Sequence, residues 1–360
     1  MRILGIESSC DETAAAVVED GRRLLSNVVN SQIDIHAVYG GVVPEVAARS
    51  HLEVIIPVIQ KALDDSRSTW DDIDAIAVTY APGLVGSLLI GSLAARTLAL
   101  LKHKSLVPVH HVEAHMYANF ITEAGPNIQL QLPSQQPAFP LLALIVSGGH
   151  SQLVLFRDHG DYELLGQTQD DAVGEAFDKV AKIIGLPYPG GPSIANAAKS
   201  GNAHMYAFPK AKMTNPYDFS FSGLKTAVLR AVQREVGVDH TFPSHELAER
   251  LNTSQRDNFA ASFQQIAVET LVDKTVRAFH DYSPASVVIA GGVAANQELR
   301  RQLALALQIP IEYAPISLCT DNAAMIATLG YYMFQTGIEH DPRSLDVVPS
   351  LSMRKTSWVH

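Results

Sequence analysis

A repetition within the chain restricts its fold more than any other feature. The opening thirty residues read as strand, polar loop, strand, turn and strand: RILGIE, the loop Ser8-Ser9-Cys10-Asp11-Glu12, TAAAVVE, a turn at Asp20-Gly21, and RLLSNVVN. The second half repeats that plan in PLLALIVSGGHSQLVLF, with a third strand over Tyr162 to Thr168. A second matched pair follows. DAIAVTYAPGLVGSLLIGSLAARTLALLKHKSLVPV and SVVIAGGVAANQELRRQLALALQIPIEYAP both read as strand, glycine-containing turn, helix and strand. Short aliphatic strands bounded by turn residues and alternating with helical periodicity specify an α/β protein. The same order of units met twice predicts two duplicated lobes; the plainer alternative is that α/β proteins reuse such units without common ancestry.

At 360 residues the chain is long enough for about two domains. The first lobe is expected over 1–125, where a helical pattern runs from Pro44 to about Leu63, a strand covers Ile73 to Tyr80, a long helix ends near Lys102 and a strand covers Leu106 to Val109. Pro126, Pro133 and Pro137, set among glutamines, mark 126–139 as a connector. The second lobe is expected over 140–321, with the C-terminal helix, about 322–345, packing back on the first. Two similar lobes joined by a hinge leave a cleft onto which their strand-end loops point, and ligands are expected in that cleft.

Composition removes several function classes. The apolar run Leu84 to Leu101 is interrupted by Arg96 and reads as a buried helix rather than a membrane span, and the segment after Met1-Arg2 has no signal-peptide pattern. Cys10 and Cys319 are the only cysteines, which suits a reducing compartment, so a cytoplasmic protein without membrane association is expected. A net charge of −10 argues against broad electrostatic capture of nucleic acid, which needs clustered Lys and Arg. Any RNA contact is then local, and Lys210 with Lys212 is the nearest thing to a basic patch.

His111 and His115 stand four apart in HVEAH, so on a helix both imidazoles project from one face and can grip one ion; two polar histidines on a solvated helix start is the other reading. By the duplication, Thr320-Asp321-Asn322 follows a strand as His111 does, which makes Asp321 a third ligand or else, with Thr320, a helix N-cap. A two-histidine, one-carboxylate set with open positions suits iron or zinc. HVEAH is not the zinc-peptidase pattern: Glu113 is two residues past the first histidine, roughly 200° around the helix, and cannot act on water held by the pair. Ser147-Gly148-Gly149-His150, Gly291-Gly292 and Gly190-Gly191 would let backbone N–H groups approach an anionic or nucleotide ligand, although glycine pairs also mark ordinary tight turns. DDAVGEAFDKVAKIIG is an amphipathic helix with Val173, Phe177, Val180, Ala181 and Ile184 inward. Asp178 on its other face either pairs with Lys182 or binds sugar hydroxyls. Ser222 and Lys225 at a helix entrance have a capping reading as good as any ligand role.

GIESSCDETAAAVV, PGLVGSLLIG, HVEAH, VSGGHSQLV, DDAVGEAFDKVAK, YPGGPSIANAA, FSFSGLKTAV, IAGGVAANQELR and TDNAAMIA, spread from residue 4 to about 328, closely resemble the successive signatures of the tRNA threonylcarbamoyladenosine transferases, the TsaD family once described as glycoproteases. The Pro- and Gln-rich stretch before Phe139 is the one departure.

The resemblance implies an actin, Hsp70 and sugar-kinase type fold and an acyltransferase. Its donor would be threonylcarbamoyl-AMP and its acceptor the exocyclic amine of the adenosine 3′ of the anticodon in tRNAs reading codons that begin with A. It implies that Ile145, Val146, Ser147, Gly148, Gly149, Asp178, Gly191 and Asn296 line the donor, and that His111, His115 and Asp321 hold one divalent or trivalent ion, iron first and zinc second. Asp11 and Glu12 are the candidates to orient the amine or accept its proton. Implied partners are a paralogous actin-like (TsaB-like) subunit, a small (TsaE-like) ATPase and a separate synthase that makes the donor. The competing readings are an ATPase or kinase of the same fold, which would use Mg²⁺ through carboxylates, and a non-catalytic nucleotide-binding subunit.

Overall fold

The computed structural model describes residues 1–307, 309, 311, 313–353 and 358. The chain divides into two compact units, one comprising Met1–Leu141, Phe156–Glu163 and Glu312–His360, the other Leu142–Leu155 and Leu164–Ile311.

The first unit opens with the expected meander: β1 (Arg2–Glu7), β2 (Glu12–Glu19) and β3 (Arg23–Ser31) pair antiparallel, with Arg2 opposite Glu19 and Glu7 opposite Ala14. Asp20 and Gly21, the central residues of the turn that Arg22 N–H closes on the Glu19 carbonyl, both have positive φ, as a type I′ turn requires. After α1 (Ile33–Ala37) comes α2 (Pro44–Ser66), begun by a proline where a missing N–H goes unnoticed. Next, β4 (Ala75–Ala81) lies parallel to β1. Then α3 (Val85–Lys102) leads to β5 (Ser105–His110), parallel to β4, and α4 (His111–Tyr117) leaves β5 directly. The two-residue β6 (Glu123–Ala124) completes a sheet of order β5-β4-β1-β2-β3-β6. Alternation along β1 sends Leu4 and Ile6 into a core with Ile55, Val58 and Ile59 of α2 and Ala95 and Ala99 of α3. Burying each large aliphatic of that set stabilises the unit by about 1.5–3 kcal/mol.

The helix α3 is long and apolar enough to span a membrane by length and composition. Its Leu88, Gly91, Ala95 and Ala99 face is buried, whereas Val85, Leu89, Leu93 and Leu101 are exposed, so the expectation of a buried helix holds for one face only.

A four-stranded sheet, which falls in the second unit apart from Leu141 and the β-hairpin residues Phe156–Glu163, is built from β7 (Leu141–Val146), β8 (Ser151–Asp158), β9 (Asp161–Gln167) and, later in the chain, β10 (Ser286–Ala290), in the order β10-β7-β8-β9. That order repeats β4-β1-β2-β3 of the first sheet, as the duplication requires. Between β9 and β10 lie α5 (Val173–Ile184), α6 (Gly190–Ala198), α7 (Ser222–Glu235) and α8 (Thr253–Tyr282), and α9 (Gln297–Leu307) follows β10. The inward residues expected for α5 are all buried.

The chain then returns to the first unit. The expected strand IEYAP is not formed at Ile311 or Tyr313–Pro315, and Glu312 lies outside the described residues. Instead Ala314 donates its N–H to Asn119 Oδ1, α10 (Ile316–Cys319) follows, and α11 (Ala323–Gln335) packs on the face of the first sheet opposite α2 and α3. Close approach there needs Gly5, where a Cβ would lie 2.3 Å from the Ala323 carbonyl oxygen. Asp321, placed by sequence with residues 140–321, therefore belongs to the first unit, and the expected connector 126–139 lies inside that unit as well.

Candidate metal centre and the glycine-rich loops

The loop between β1 and β2 is clamped onto the start of α3. Ser8 Oγ donates to the Ser87 carbonyl at 2.8 Å, Ser87 Oγ donates to the Cys10 carbonyl at 3.0 Å, and Leu84 N–H donates to the Ser9 carbonyl at 2.8 Å. Gly83 and Gly91 make this possible, since a Cβ at either would fall within 2.5 Å of Ser9 O or Ser8 Oγ. His51 of α2 braces the other side. A carbonyl only accepts, so its Nε2–H donates to Cys10 O at 3.0 Å and its Nδ1 accepts from Thr13 Oγ1 at 2.7 Å. Burial lowers the His51 pKa, in keeping with a neutral ring.

The helix α4 is buried along its whole length, which removes the solvated-histidine reading. His110 caps it through Nδ1, which accepts from Glu113 N–H, while its Nε2 donates to the Leu351 carbonyl at 3.2 Å. His111 and His115 present Nε2 atoms 3.6 and 3.4 Å from Asp321 Oδ1, and one ligand atom from each of the three residues lies within 4.8 Å of the others. Two donors at ~2.0–2.1 Å around a tetrahedral ion are about 3.3 Å apart, so the set fits a single cation. Asp321 is not the helix cap: Asn322 Oδ1 accepts from Met325 N–H and fills that role. All three ligand candidates belong to the first unit, which corrects the expectation of a carboxylate brought from the other lobe.

Carboxylates crowd this place. Burial, then Glu7 and Asp11, raise the Asp321 pKa to about 6 against the opposing pull of His111. Burial alone would lower the His111 pKa, but Glu7 and Asp321 raise it to about 9. Glu7 is the residue that the sequence reading passed over. Its Oε2 lies 2.9 Å from His111 Nδ1 and accepts from Thr79 Oγ1 at 2.7 Å, and Oε1 accepts from Ser9 N–H. Although burial pushes it up, these partners hold its pKa at about 2. The available signal was a lone carboxylate closing the otherwise apolar strand RILGIE. Burial, Asp321 and Asp11 push the Glu12 carboxyl up to about 10, and it accepts from Ser31 Oγ at 3.2 Å. Burial and the same acidic neighbours push the Cys10 thiol far up, which makes it a poor nucleophile.

In the second unit, Ile145 and Val146 are fully buried at the end of β7, so they can offer a ligand only backbone groups. In the loop after them Ser147 is buried and Gly148 and Gly149 are exposed, and a Cβ on Gly148, Gly149 or Gly191 would meet no atom within 4 Å. Glu175 N–H donates to Gly148 O, Gly174 touches Ser147, Gly291 (φ 88°) abuts Val146 O, and Asp178 Oδ1 accepts from Gly190 N–H at 2.7 Å. These contacts draw the Ser147 loop, α5, Gly190-Gly191 and Gly291 into one neighbourhood. Asn296 caps α9, its Oδ1 accepting from Glu298 and Leu299 N–H, and its Nδ2 donates to Gln264 Oε1 at 3.0 Å. Ser222 Oγ donates to Asp170 and Lys225 pairs with Asp171, so both serve the entrance of α7. Lys210 is engaged by Glu269 and Asp273, which weakens the basic-patch reading.

The model of the family described as "TsaD: tRNA N6-adenosine threonylcarbamoyltransferase" matches residues 23–328. The chain belongs to the tRNA N6-adenosine threonylcarbamoyltransferase family. Relatives bearing that name include one from Thermomicrobium roseum, 51% identical over 95% of this chain and 94% of its own, and one from Symbiobacterium thermophilum, 51% identical over 98% and 96%. Among solved structures, HypF of T. kodakarensis superposes with a TM-score of 0.57 at 13% identity, covering 93% of this chain and 48% of HypF. That likeness concerns the fold alone, and the actin-like α/β architecture expected from the sequence stands. Membership in a transferase family does not favour the kinase and non-catalytic readings.

Proposed function

We propose that the chain transfers the threonylcarbamoyl group from threonylcarbamoyl-AMP to the exocyclic amine of the adenosine 3′ of the anticodon, in tRNAs reading codons that begin with A, releasing AMP. The match to the transferase family over residues 23–328 carries the reading, and the convergent His111, His115 and Asp321 donors support it. These three side chains would hold one ion, with iron favoured and zinc the alternative for an imidazole and carboxylate set. When bound, such an ion supplies Lewis-acid stabilisation of negative charge on an acyl or phosphoryl oxygen.

The chain's own groups do the remaining work in this reading. Gly148, Gly149 and Gly191 offer backbone N–H groups to the adenylate, and a Cβ at any of them would meet no atom within 4 Å; Ile145 and Val146 line the donor through backbone and Ser147 through its side chain. Asp178 and Asn296 accept and donate at its sugar and base. Asp11 and Glu12, where the loop after β1 runs into β2, orient the amine by accepting from its N–H groups or take up the proton it loses. Fixing donor and amine in this way lowers the entropic part of the barrier.

The partners follow from the same reading: tRNA, a donor-making synthase, a small TsaE-like ATPase and a TsaB-like paralogous subunit, all in the cytoplasm. The exposed Leu52 and Ile56 of α2 with Val85, Leu89 and Leu93 of α3 give a protein partner an apolar face to cover. Incubating the purified chain with labelled donor and unmodified tRNA, with and without these partners, and analysing the nucleosides by mass spectrometry tests the proposal. Labelled threonylcarbamoyladenosine is the expected product. An undiminished yield when the chain is omitted or when Asp11→Ala, His111→Ala and Asp321→Ala are combined would remove it.

A further inference from the structure

We infer that Glu7 is a positioning residue, fixing the tautomer and orientation of His111 for a metal ion; this rests on the reading of His111, His115 and Asp321 given above. Glu7 closes β1, is 1% exposed, and is the only carboxylate ahead of Asp11. A charge in such a place is costly unless its oxygens are satisfied. Here Ser9 N–H reaches Oε1 at 2.5 Å, and Thr79 Oγ1–H and His111 Nδ1–H reach Oε2 at 2.7 and 2.9 Å.

An ionised carboxylate only accepts, so the proton of a neutral His111 ring is on Nδ1. Nε2 then keeps its lone pair, and it is Nε2 that faces Asp321 Oδ1 at 3.6 Å, beside the Nε2 of His115 at 3.4 Å from the same oxygen. Ser9 Oγ, 3.2 Å from His111 Nδ1, adds a second oxygen on the protonated side. The ring is thus held between an acceptor pair at one nitrogen and the candidate cation position at the other. Metal-binding imidazoles commonly donate their second N–H to a carboxylate in this way, which raises ligand basicity, and losing that partner weakens metal affinity by about 10–100-fold.

The plainer alternative makes Glu7 and His111 an internal ion pair that ties β1 to α4. It predicts lost stability with an unchanged ligand field, whereas positioning predicts a changed ligand field in a chain that still folds. The test is a Co²⁺ titration of the full-length chain, stripped of metal, with a competing chelator and the visible spectrum as readouts, on wild type, Glu7→Gln and Thr79→Val. Glu7→Gln keeps the size and one acceptor oxygen but removes the charge. The expected result is one Co²⁺ per wild-type chain, with Glu7→Gln folded by circular dichroism, binding about 10–100-fold more weakly and showing shifted ligand-field bands. Affinity within about twofold of wild type and identical bands in folded Glu7→Gln would overturn the inference while leaving the metal centre intact. If Glu7→Gln does not fold, Thr79→Val decides, because it removes only one hydrogen bond to Oε2: weakening by about threefold or more supports the role, and wild-type affinity overturns it. A wild-type chain that takes up no Co²⁺ overturns the metal-centre reading and this inference with it.

Discussion

Replacing Gly5 by alanine tests how the fold delivers Asp321 to the histidines. The added Cβ would stand 2.3 Å from Ala323 O, 2.7 Å from Ala327 N and 2.9 Å from Ala327 Cβ. Two of these atoms are helix backbone, which cannot rotate aside, so the first turn of α11 must retreat by about 1 Å to reach ordinary contact. Overpacking of this kind costs about 1–3 kcal/mol, and the upper end is expected where backbone meets backbone. Asp321 precedes that turn by two residues and moves with it, away from Nε2 atoms that now stand 3.4 and 3.6 Å off. A misplacement of about 1 Å at a reacting centre costs on the order of 10²-fold in rate. Urea denaturation, metal content and transfer rate are measured on Gly5→Ala, with Gly148→Ala, whose Cβ would meet nothing within 4 Å, as the stability control. A Gly5→Ala chain with the wild-type midpoint, metal content and rate would refute the argument that close packing of α11 on β1 sets the site.

Other expectations are independent of that one. Gly291→Ala meets both a φ of 88° and the Val146 carbonyl at 2.4 Å, and should cost the second unit about 1–3 kcal/mol in urea denaturation while weakening binding of a non-hydrolysable donor analogue. Burial, opposed by Asp158, lowers the His159 pKa to about 4, where its ring stacks on Tyr332 at 3.8 Å. Unfolding therefore takes up a proton between about pH 6.5 and 4, and stability present above that window is lost as pH falls through it. His159→Phe should flatten this part of the stability profile, measured by denaturation at stepped pH. Leu52→Glu combined with Leu93→Glu should leave thermal stability within about 0.5 kcal/mol of wild type but abolish stimulation of transfer by a paralogous subunit.

Much of the first sheet was legible because its strands are buried on both faces and read as unbroken aliphatic runs closed by turn residues. The repeat along the chain also anticipated that the second half holds the same strand units as the first, and the two sheets share the order β4-β1-β2-β3 and β10-β7-β8-β9. What failed did so for local reasons. The IEYAP segment has strand composition, yet its Ala314 N–H is bound by Asn119 Oδ1, and no β pairing forms at its described residues. Asp321 was assigned to the wrong side because sequence order suggested the second lobe, whereas the fit of α11 over Gly5 returns it to the first unit. Its competing cap role was decided by one neighbouring side chain, Asn322, a distinction that rests on χ angles rather than on pattern. Glu7 went unread because a terminal strand carboxylate has no meaning until Thr79 and His111, each more than seventy residues away, are brought to it. The apolar residues of α3 satisfied the same periodicity whether both faces or one were covered.

The account stands on a cation held by His111, His115 and Asp321 serving transfer to tRNA. The most direct test is the yield of threonylcarbamoyladenosine, by nucleoside mass spectrometry, from chain stripped by a chelator and then reloaded with metal, alongside Asp321→Ala treated identically. Yield should fall on stripping, return on reloading the wild type, and not return in Asp321→Ala. Equal yields from stripped wild type, reloaded wild type and Asp321→Ala would contradict it.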